Sequence, residues 1–271
     1  MKTILITGSS SGIGKATAKY FAEKGWNVIA TMRNPEKEKE LTQEENVLVT
    51  KLDVTIPETI HHAIAQGISE FSSIDVVLNN AGYAVFGPFE FSTEEQIYHQ
   101  FQVNVFGVMN TIKAILPHFK QNRNGLIINV SSIAGQISFP LLSLYHATKW
   151  SLEGFAESLQ YELSQHNIKI KMIEPGNVDT DFTGRSLVTL QHDYKNDYQE
   201  YQEIVLSKQL ESFENYASKA DDIADGIYRV ANDTSDQFRY ALGDDAQFML
   251  EKRKSKQDIE FIDFIRKQFA Y

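Results

Sequence analysis

The sequence predicts a doubly wound α/β fold: a seven-stranded, mainly parallel sheet with helices on both faces. Three observations carry this expectation. Short aliphatic or β-branched runs recur along the chain, most of them without polar alternation. Continuous apolar strands of this kind are buried on both faces, as in a parallel sheet covered by helices. Longer helix-like segments separate the runs, and the first run leads directly into a glycine-rich turn.

The runs are residues 3–7, 27–31, 47–52, 75–78, 125–130 and 168–173, with a weaker seventh at 238–242. Helix-like stretches lie between them at 12–24, 57–71, 93–119 and 142–166. The third starts at Ser92-Thr93-Glu94-Glu95, with acidic residues where the helix dipole favours them. Alternation of strand and helix through residue 173 specifies right-handed βαβ units. No linker interrupts residues 1–271, so one catalytic domain is expected. The character changes after residue 180. Residues 181–216 are polar, rich in Gln, Tyr, Asp and Glu, and show no clear strand. An insertion just beyond a strand's C-terminal end is where an α/β protein builds a substrate lid; a surface hairpin without a ligand role is the alternative. A helix at 219–231, the seventh strand and a charged amphipathic tail at 244–269 complete the chain.

Composition narrows the function classes. With 42% hydrophobic and 23% charged residues in 271, the chain can bury a sizeable core. A formal net charge of −10 argues against nucleic acid or anionic lipid held by a broad field. An anionic ligand would need a local device such as a helix N-terminus or one arginine. The absence of cysteine removes disulfides, thiolate nucleophiles and Cys-based metal sites. The seven histidines show no metal-ligand spacing, and no metal is assigned. No apolar run is long enough to span a membrane, and the N-terminal run is too short for a signal peptide. A cytoplasmic protein with neither membrane nor nucleic-acid partner is expected.

The first turn reads Thr7-Gly8-Ser9-Ser10-Ser11-Gly12-Ile13-Gly14-Lys15. Gly8 allows a tight turn, Gly12 lets the backbone approach a pyrophosphate, and Gly14 permits close packing of helix on strand. The following helix aims its free N–H groups and positive dipole end at phosphate. Placed between strand and helix, this turn indicates a Rossmann-type dinucleotide site. A second constellation follows the fifth run, in Ser131-Ser132, then Tyr145 and Lys149. Tyr145 and Lys149 are an i, i+4 pair and share one helix face. A phenol near pKa 10 is a poor proton carrier at neutral pH, and a nearby lysine cation is expected to pull it down. An acid–base group near working pH serves both directions of a reaction.

The spacing Thr-Gly-x-x-x-Gly-Ile-Gly is followed in order by Asp53, Asn79-Asn80-Ala81-Gly82, Asn104, Ser132, Tyr145 with Lys149, and Pro175-Gly176. Together these resemble the short-chain dehydrogenase/reductase superfamily, continuously over residues 1–180 and loosely beyond. The resemblance implies hydride transfer between a nicotinamide and a carbonyl or alcohol centre. Ser132 and Tyr145 would bind the substrate oxygen, with Tyr145 as acid–base residue. The thirteen-residue spacing to Tyr145 favours Ser132 over Ser131. Lys149 would hold the nicotinamide ribose, and Asn104 a water-linked proton path to it. Gly8, Ser10, Ser11, Gly12, Ile13, Gly14, Arg33, Asp53, Val54, Asn80, Ala81, Gly82, Pro175, Gly176, Val178 and Thr180 would complete the cofactor site. Phe139 and Leu142 would wall the substrate pocket. His146 is read as projecting elsewhere on the helix.

In this family an acidic side chain at the end of the second strand accepts the 2′-hydroxyl of NAD. Here that position is Met32, no Asp or Glu occurs between residues 25 and 35, and Arg33 follows. A charge-assisted bond from Arg33 to a 2′-phosphate is worth about 1.5–3 kcal/mol. NADP(H) is therefore expected over NAD(H). The resemblance also implies a homodimer or homotetramer joined through the two long helices beginning near Thr93 and Leu142. Substrates from hydroxysteroid- or retinol-like molecules to small ketones fit the pattern. A non-catalytic NADP(H) redox sensor is the competing function, though it would not need Ser132, Tyr145 and Lys149 together. A nucleotide-sugar epimerase is disfavoured because only about 90 residues follow Thr180.

Overall fold

The computed structural model describes residues 1–181, 184, 186–190 and 197–269. Seven strands form the central sheet: β1 (Thr3–Thr7), β2 (Asn27–Met32), β3 (Val47–Lys51), β4 (Val76–Asn79), β5 (Gly125–Val130), β6 (Ile168–Pro175) and β7 (Arg239–Leu242). Their order is β7-β6-β5-β4-β1-β2-β3, and every neighbouring pair is parallel. The winding direction reverses between β1 and β4. In an open parallel sheet the crevice at such a reversal, outside the carboxyl ends of the strands, is where ligands bind.

Helices α1 (Gly12–Glu23), α2 (Pro57–Phe71), α3 (Glu94–Phe101), α4 (Gly107–Asn122) and α5 (Ser143–Ser164) are followed by α6 (Gln199–Tyr216), α7 (Ala220–Asn232), α8 (Asp244–Lys254) and α9 (Asp258–Gln268). Side chains alternate across each strand, so the unbroken apolar runs feed two cores at once. On β1, Ile4 and Ile6 join a cluster with α1 and α7, whereas Leu5 joins the cluster under α2, α4 and α5. β2 divides likewise, Val28 and Ala30 to one side and Ile29 to the other. A third cluster, with Ile133, Val205, Met249, Phe261 and Phe269, fastens α6, α8 and α9 beside the crevice.

The structure corrects three expectations. The stretch 93–119 is not one helix: α3 and α4 are separated by a π-turn at Gln102–Phe106. Its start is as expected, with a capping box between Thr93 and Gln96. Residues 181–216 do contain a strand, Leu187–Thr189, paired in parallel with Ala84–Phe86. It is three residues long and two of them are exposed, too little for a periodic signal. Elsewhere in the expected lid, 199–216 form α6, while residues 182, 183, 185 and 191–196 lie outside the described residues. The tail at 244–269 is two helices, divided after Lys254. Among the described residues no helix is long and apolar enough to cross a membrane.

Candidate active site

A cleft of about 1940 Å³ runs past the C-terminal ends of β1 to β6. One end is built from the β1–α1 turn. Gly8 (φ +73°) and Gly12 (φ +54°) occupy the left-handed region that favours glycine. Gly14 lies beneath the turn: a Cβ there would stand 2.3 Å from the Gly8 carbonyl oxygen and 2.4 Å from Asn80 Nδ2. The Asn80 amide ties the end of β4 to this turn, donating to the carbonyls of Thr7 (2.9 Å) and Gly8 (3.1 Å). Ser11 caps α1 in extended conformation without a side-chain bond to the helix. The first N–H groups of a helix have no intrahelical partner, and Ser11, Gly12 and Ile13 face the cleft.

Further along, Arg33 lies exposed on the cleft and has no carboxylate partner among the described residues. The nearby Glu38 is engaged: its Oε1 accepts the N–H groups of Lys39 (3.0 Å), Glu40 (2.8 Å) and Leu41 (3.2 Å), and Lys15 pairs with it at 3.3 Å. It is a turn-closing carboxylate. Asp53 closes the turn after β3 through Thr55, accepting its N–H at 2.9 Å and its hydroxyl at 2.7 Å. Ser10, Val54, Ala81, Gly82, Pro175, Gly176, Val178 and Thr180 also line the cleft. Glycine backbone, a helix N-terminus and the Arg33 guanidinium in one groove fit a nicotinamide dinucleotide.

The other end holds Ser132, Tyr145 and Lys149. Ser132 leaves β5 with its hydroxyl accepting the Ala134 N–H (3.1 Å) and donating to the Pro175 carbonyl (3.4 Å). Tyr145, on the first turn of α5, hydrogen-bonds Ser132; burial pushes its phenol up to about 12, and that bond opposes the rise. Lys149 is buried, donates to the Val130 carbonyl at 2.9 Å, and sits 5.5 Å from the centre of the Tyr145 ring. Burial pulls its ammonium down to about 8, opposed by the Glu153 carboxylate. This departs from the expectation that Lys149 lowers Tyr145. Both groups are desolvated, and the ammonium is committed to a backbone carbonyl behind the ring, not to the phenolic oxygen.

Two predicted site residues do not reach the cleft surface, Gly14 and Asn104. Asn104 is buried in the π-turn. Its Oδ1 accepts the Tyr83 N–H (3.1 Å), and its Nδ2 donates to the Tyr83 carbonyl (2.8 Å) and to Thr148 Oγ1 (3.1 Å). It thus ties the strand at Ala84–Phe86 to α5.

Phe139 and Leu142 line the cleft as expected, with Leu206, Leu210 and Phe213 of α6, Phe248 and Met249 of α8, and Phe269. Two residues gain positions the sequence did not reveal. His146 projects off the cleft as expected, but its ring ties down the loop before α5: Nδ1–H donates to the Ala134 carbonyl (2.9 Å) and Nε2 accepts the Phe139 N–H (2.8 Å). Burial lowers its pKa, so the neutral ring can make both bonds. Asp245, at the start of α8, accepts the N–H of Asn177 next to Gly176. The acidic pair after Gly243 is an ordinary helix-start signal and did not point to this turn.

The sequence profile of the short chain dehydrogenases matches residues 2–189. The chain is 42% identical over 240 residues to an uncharacterized oxidoreductase of Schizosaccharomyces pombe, covering 88% of this chain and 100% of that protein. It is 35% identical over 252 residues to a 3-ketodihydrosphingosine reductase of Bacteroides thetaiotaomicron, covering 93% and 91%. Among solved structures, a short-chain dehydrogenase from Streptomyces avermitilis superposes with a TM-score of 0.84 at 30% identity, covering 97% of this chain and 95% of that one. An alcohol dehydrogenase from the archaeon Thermococcus sibiricus, complexed with 5-hydroxy-NADP, gives 0.74 at 27%, covering 90% and 96%. The seven-stranded parallel sheet and the glycine turn at its point of reversal agree with these likenesses, and the chain belongs to the short-chain dehydrogenase/reductase superfamily of oxidoreductases.

Proposed function

We propose that the protein interconverts a carbonyl and a primary or secondary alcohol on an apolar substrate, using NADP(H), with Tyr145 as the acid–base residue. The observation that carries this reading is the Ser132–Tyr145 hydrogen bond in the cleft, with Lys149 one helical turn behind it. A bound dinucleotide supplies or takes up the hydride. In reduction, the Ser132 and Tyr145 hydroxyls donate to the substrate oxygen, and Tyr145 gives up its proton as charge develops there. The Lys149 ammonium, 5.5 Å from the centre of the ring, favours the phenolate left behind through space. Lys149, held by Val130, would also bind the nicotinamide ribose. Oxidation returns the proton to Tyr145. The Pro175–Val178 backbone and the Thr180 hydroxyl, which line the cleft, would hold the carboxamide of a bound nicotinamide.

Arg33, with no carboxylate partner among the described residues, supports a 2′-phosphate and hence NADP(H). The exposed Leu206 and Leu210 of α6 and Phe248 of α8, all lining the cleft, support an apolar substrate and a lid role for 181–216 within a single domain. Exposed Tyr98, Trp150 and Tyr161 on α3 and α5 support a homodimer or homotetramer packed through that side.

The test is consumption of NADPH and NADH with a panel of ketones and aldehydes, run beside Tyr145→Phe. Turnover that prefers NADPH and falls by about 10²–10⁴-fold in the variant is expected. Tight NADPH binding without turnover on any carbonyl would instead favour the redox sensor.

A further inference from the structure

Behind Ser132, Tyr145 and Lys149 lies a second ionisable group that the proposed reaction does not use. Glu153, one turn after Lys149 on α5, is 5% exposed, and Glu174, near the end of β6, is 1% exposed. Both meet one nitrogen: Arg239 Nε of β7 lies 2.9 Å from Glu153 and 3.5 Å from Glu174. Arg239 Nη2 meets half-exposed Glu157 at 2.6 Å. Gln136 donates its amide N–H to Glu174. Two buried atoms here, Glu153 Oε1 and Ser131 Oγ, have no hydrogen-bond partner among the described residues. They flank the same backbone, since a Cβ on Gly135 would stand 2.8 Å from Ser131 Oγ and 3.2 Å from Glu153 Oε1.

The group touches every segment that carries the proposed chemistry. Ser131 stands between Val130, whose carbonyl holds Lys149, and Ser132. Its N–H donates to the Ile173 carbonyl at 2.8 Å, just before Glu174. Glu174 in turn precedes Pro175, whose carbonyl accepts the Ser132 hydroxyl. The charged groups facing the pair are Lys149 and Glu157 from α5 and Arg239 from β7, while the turn after β5 contributes neutral Gln136 and Ser131. Three carboxylates against two cations leave one negative charge in excess. Two buried carboxylates in contact do not both ionise readily, and one proton between them restores neutrality.

We infer that Glu153 and Glu174 share one proton and, gripped by Arg239, form a positioning site that keeps Lys149 a cation and holds Ser132 against the Pro175 turn. Two shifts agree with it. Burial and the Glu153 carboxylate push Glu174 up to about 7, and the Glu153 charge opposes the burial that lowers Lys149. The Lys149 half of the inference rests on the function proposed above, whereas the shared proton does not.

Two substitutions separate the parts. Glu174→Gln copies the protonated carboxyl and leaves Glu153 charged. Glu174 is raised in the folded state from 4.5, so the stability it confers is full below pH 4.5 and lost as pH rises through about 7. The melting temperature of Glu174→Gln relative to the unsubstituted protein should therefore climb between these pH values, with the alkaline limb of kcat/KM unmoved. Glu153→Gln removes the charge that supports Lys149, and should move that limb to lower pH by about half a unit or more. A pH-independent melting difference for Glu174→Gln overturns the shared proton. A limb that shifts in Glu174→Gln, or stays fixed in Glu153→Gln, overturns the positioning role; the former decides it even where Glu153→Gln does not fold. If the unsubstituted protein reduces no carbonyl, the proposed reaction fails, and the melting series still decides the proton.

Discussion

Asp245 Oδ2 accepts the backbone N–H of Asn177 at 2.7 Å, and its Oδ1 accepts the N–H of Ala246 at 2.8 Å. One carboxylate thus joins the first turn of α8 to the turn after β6. A Cβ on Gly176 would lie 2.2 Å from Asp245 Oδ2, so the two chains touch without a side chain between them. Burial pushes the Asp245 carboxyl up, and these N–H donors oppose the rise. Because Gly176 and Asn177 line the cleft, Asp245→Ala is expected to weaken NADPH binding by about 10- to 150-fold, the cost of about 1.5–3 kcal/mol for a bond to a charged group. Quenching of protein fluorescence on NADPH titration measures it.

Lys149 at about 8 and Tyr145 at about 12 set the alkaline behaviour. The kcat/KM profile should fall near pH 8, as Lys149 loses its proton, well before the phenol ionises. The same depression has a signature in stability. Below pH 8 the buried ammonium costs the folded state, and between about 8 and 10.5 the unfolded chain binds more protons. The contribution of Lys149 to stability therefore rises with pH across that window. Melting temperatures of the unsubstituted protein minus those of Lys149→Met should rise over the same range.

Arg33 is expected to act on one cofactor only. Arg33→Ala should raise the KM for NADPH by about 10- to 150-fold, the equivalent of one charge-assisted bond, and leave that for NADH nearly unchanged. Parallel steady-state kinetics with both dinucleotides decide it.

Gly14 and Gly154 make a matched pair. Gly14→Ala drives a methyl group into the Gly8 carbonyl, backbone that has little freedom to move, and should cost about 1–3 kcal/mol along with NADPH affinity. A Cβ on Gly154, within α5, meets nothing within 4 Å. Gly154→Ala should stabilise by about 0.5–1 kcal/mol through the unfolded chain and helix propensity. Denaturant melts report both.

What the sequence made legible was local. A glycine turn between strand and helix, and an i, i+4 pair on one helix face, are short-range geometries, so the glycine turn and the shared face of Tyr145 and Lys149 were legible from spacing, while the roles expected of them came from the family resemblance. The apolar runs were legible because both faces of the sheet are covered. The π-turn at Gln102–Phe106 was not, since it rests on Asn104 reaching Tyr83 and Thr148 across the fold. The bonds of His146 were not legible, because its partners, Ala134 and Phe139, sit on a loop whose path no periodicity encodes. The strand at Leu187–Thr189 exists only through its pairing with Ala84–Phe86. The direction of the Tyr145 shift also escaped, because the charge pair is visible in sequence and its desolvation is not.

The bond from Asp245 to Asn177 spans 68 residues, and it has a consequence for synthesis of the chain. The ribosome delivers the glycine turn, Ser132, Tyr145 and Lys149 long before β7 and α8. Every residue matched by the family profile, 2–189, is translated while the carboxylate that braces the β6 turn is still unmade. A nascent chain stalled after residue 189 would carry all the diagnostic motifs and still lack that brace. Competence to grip the dinucleotide should therefore appear late, in a single step as the last quarter emerges, and unfinished chains would not sequester cofactor.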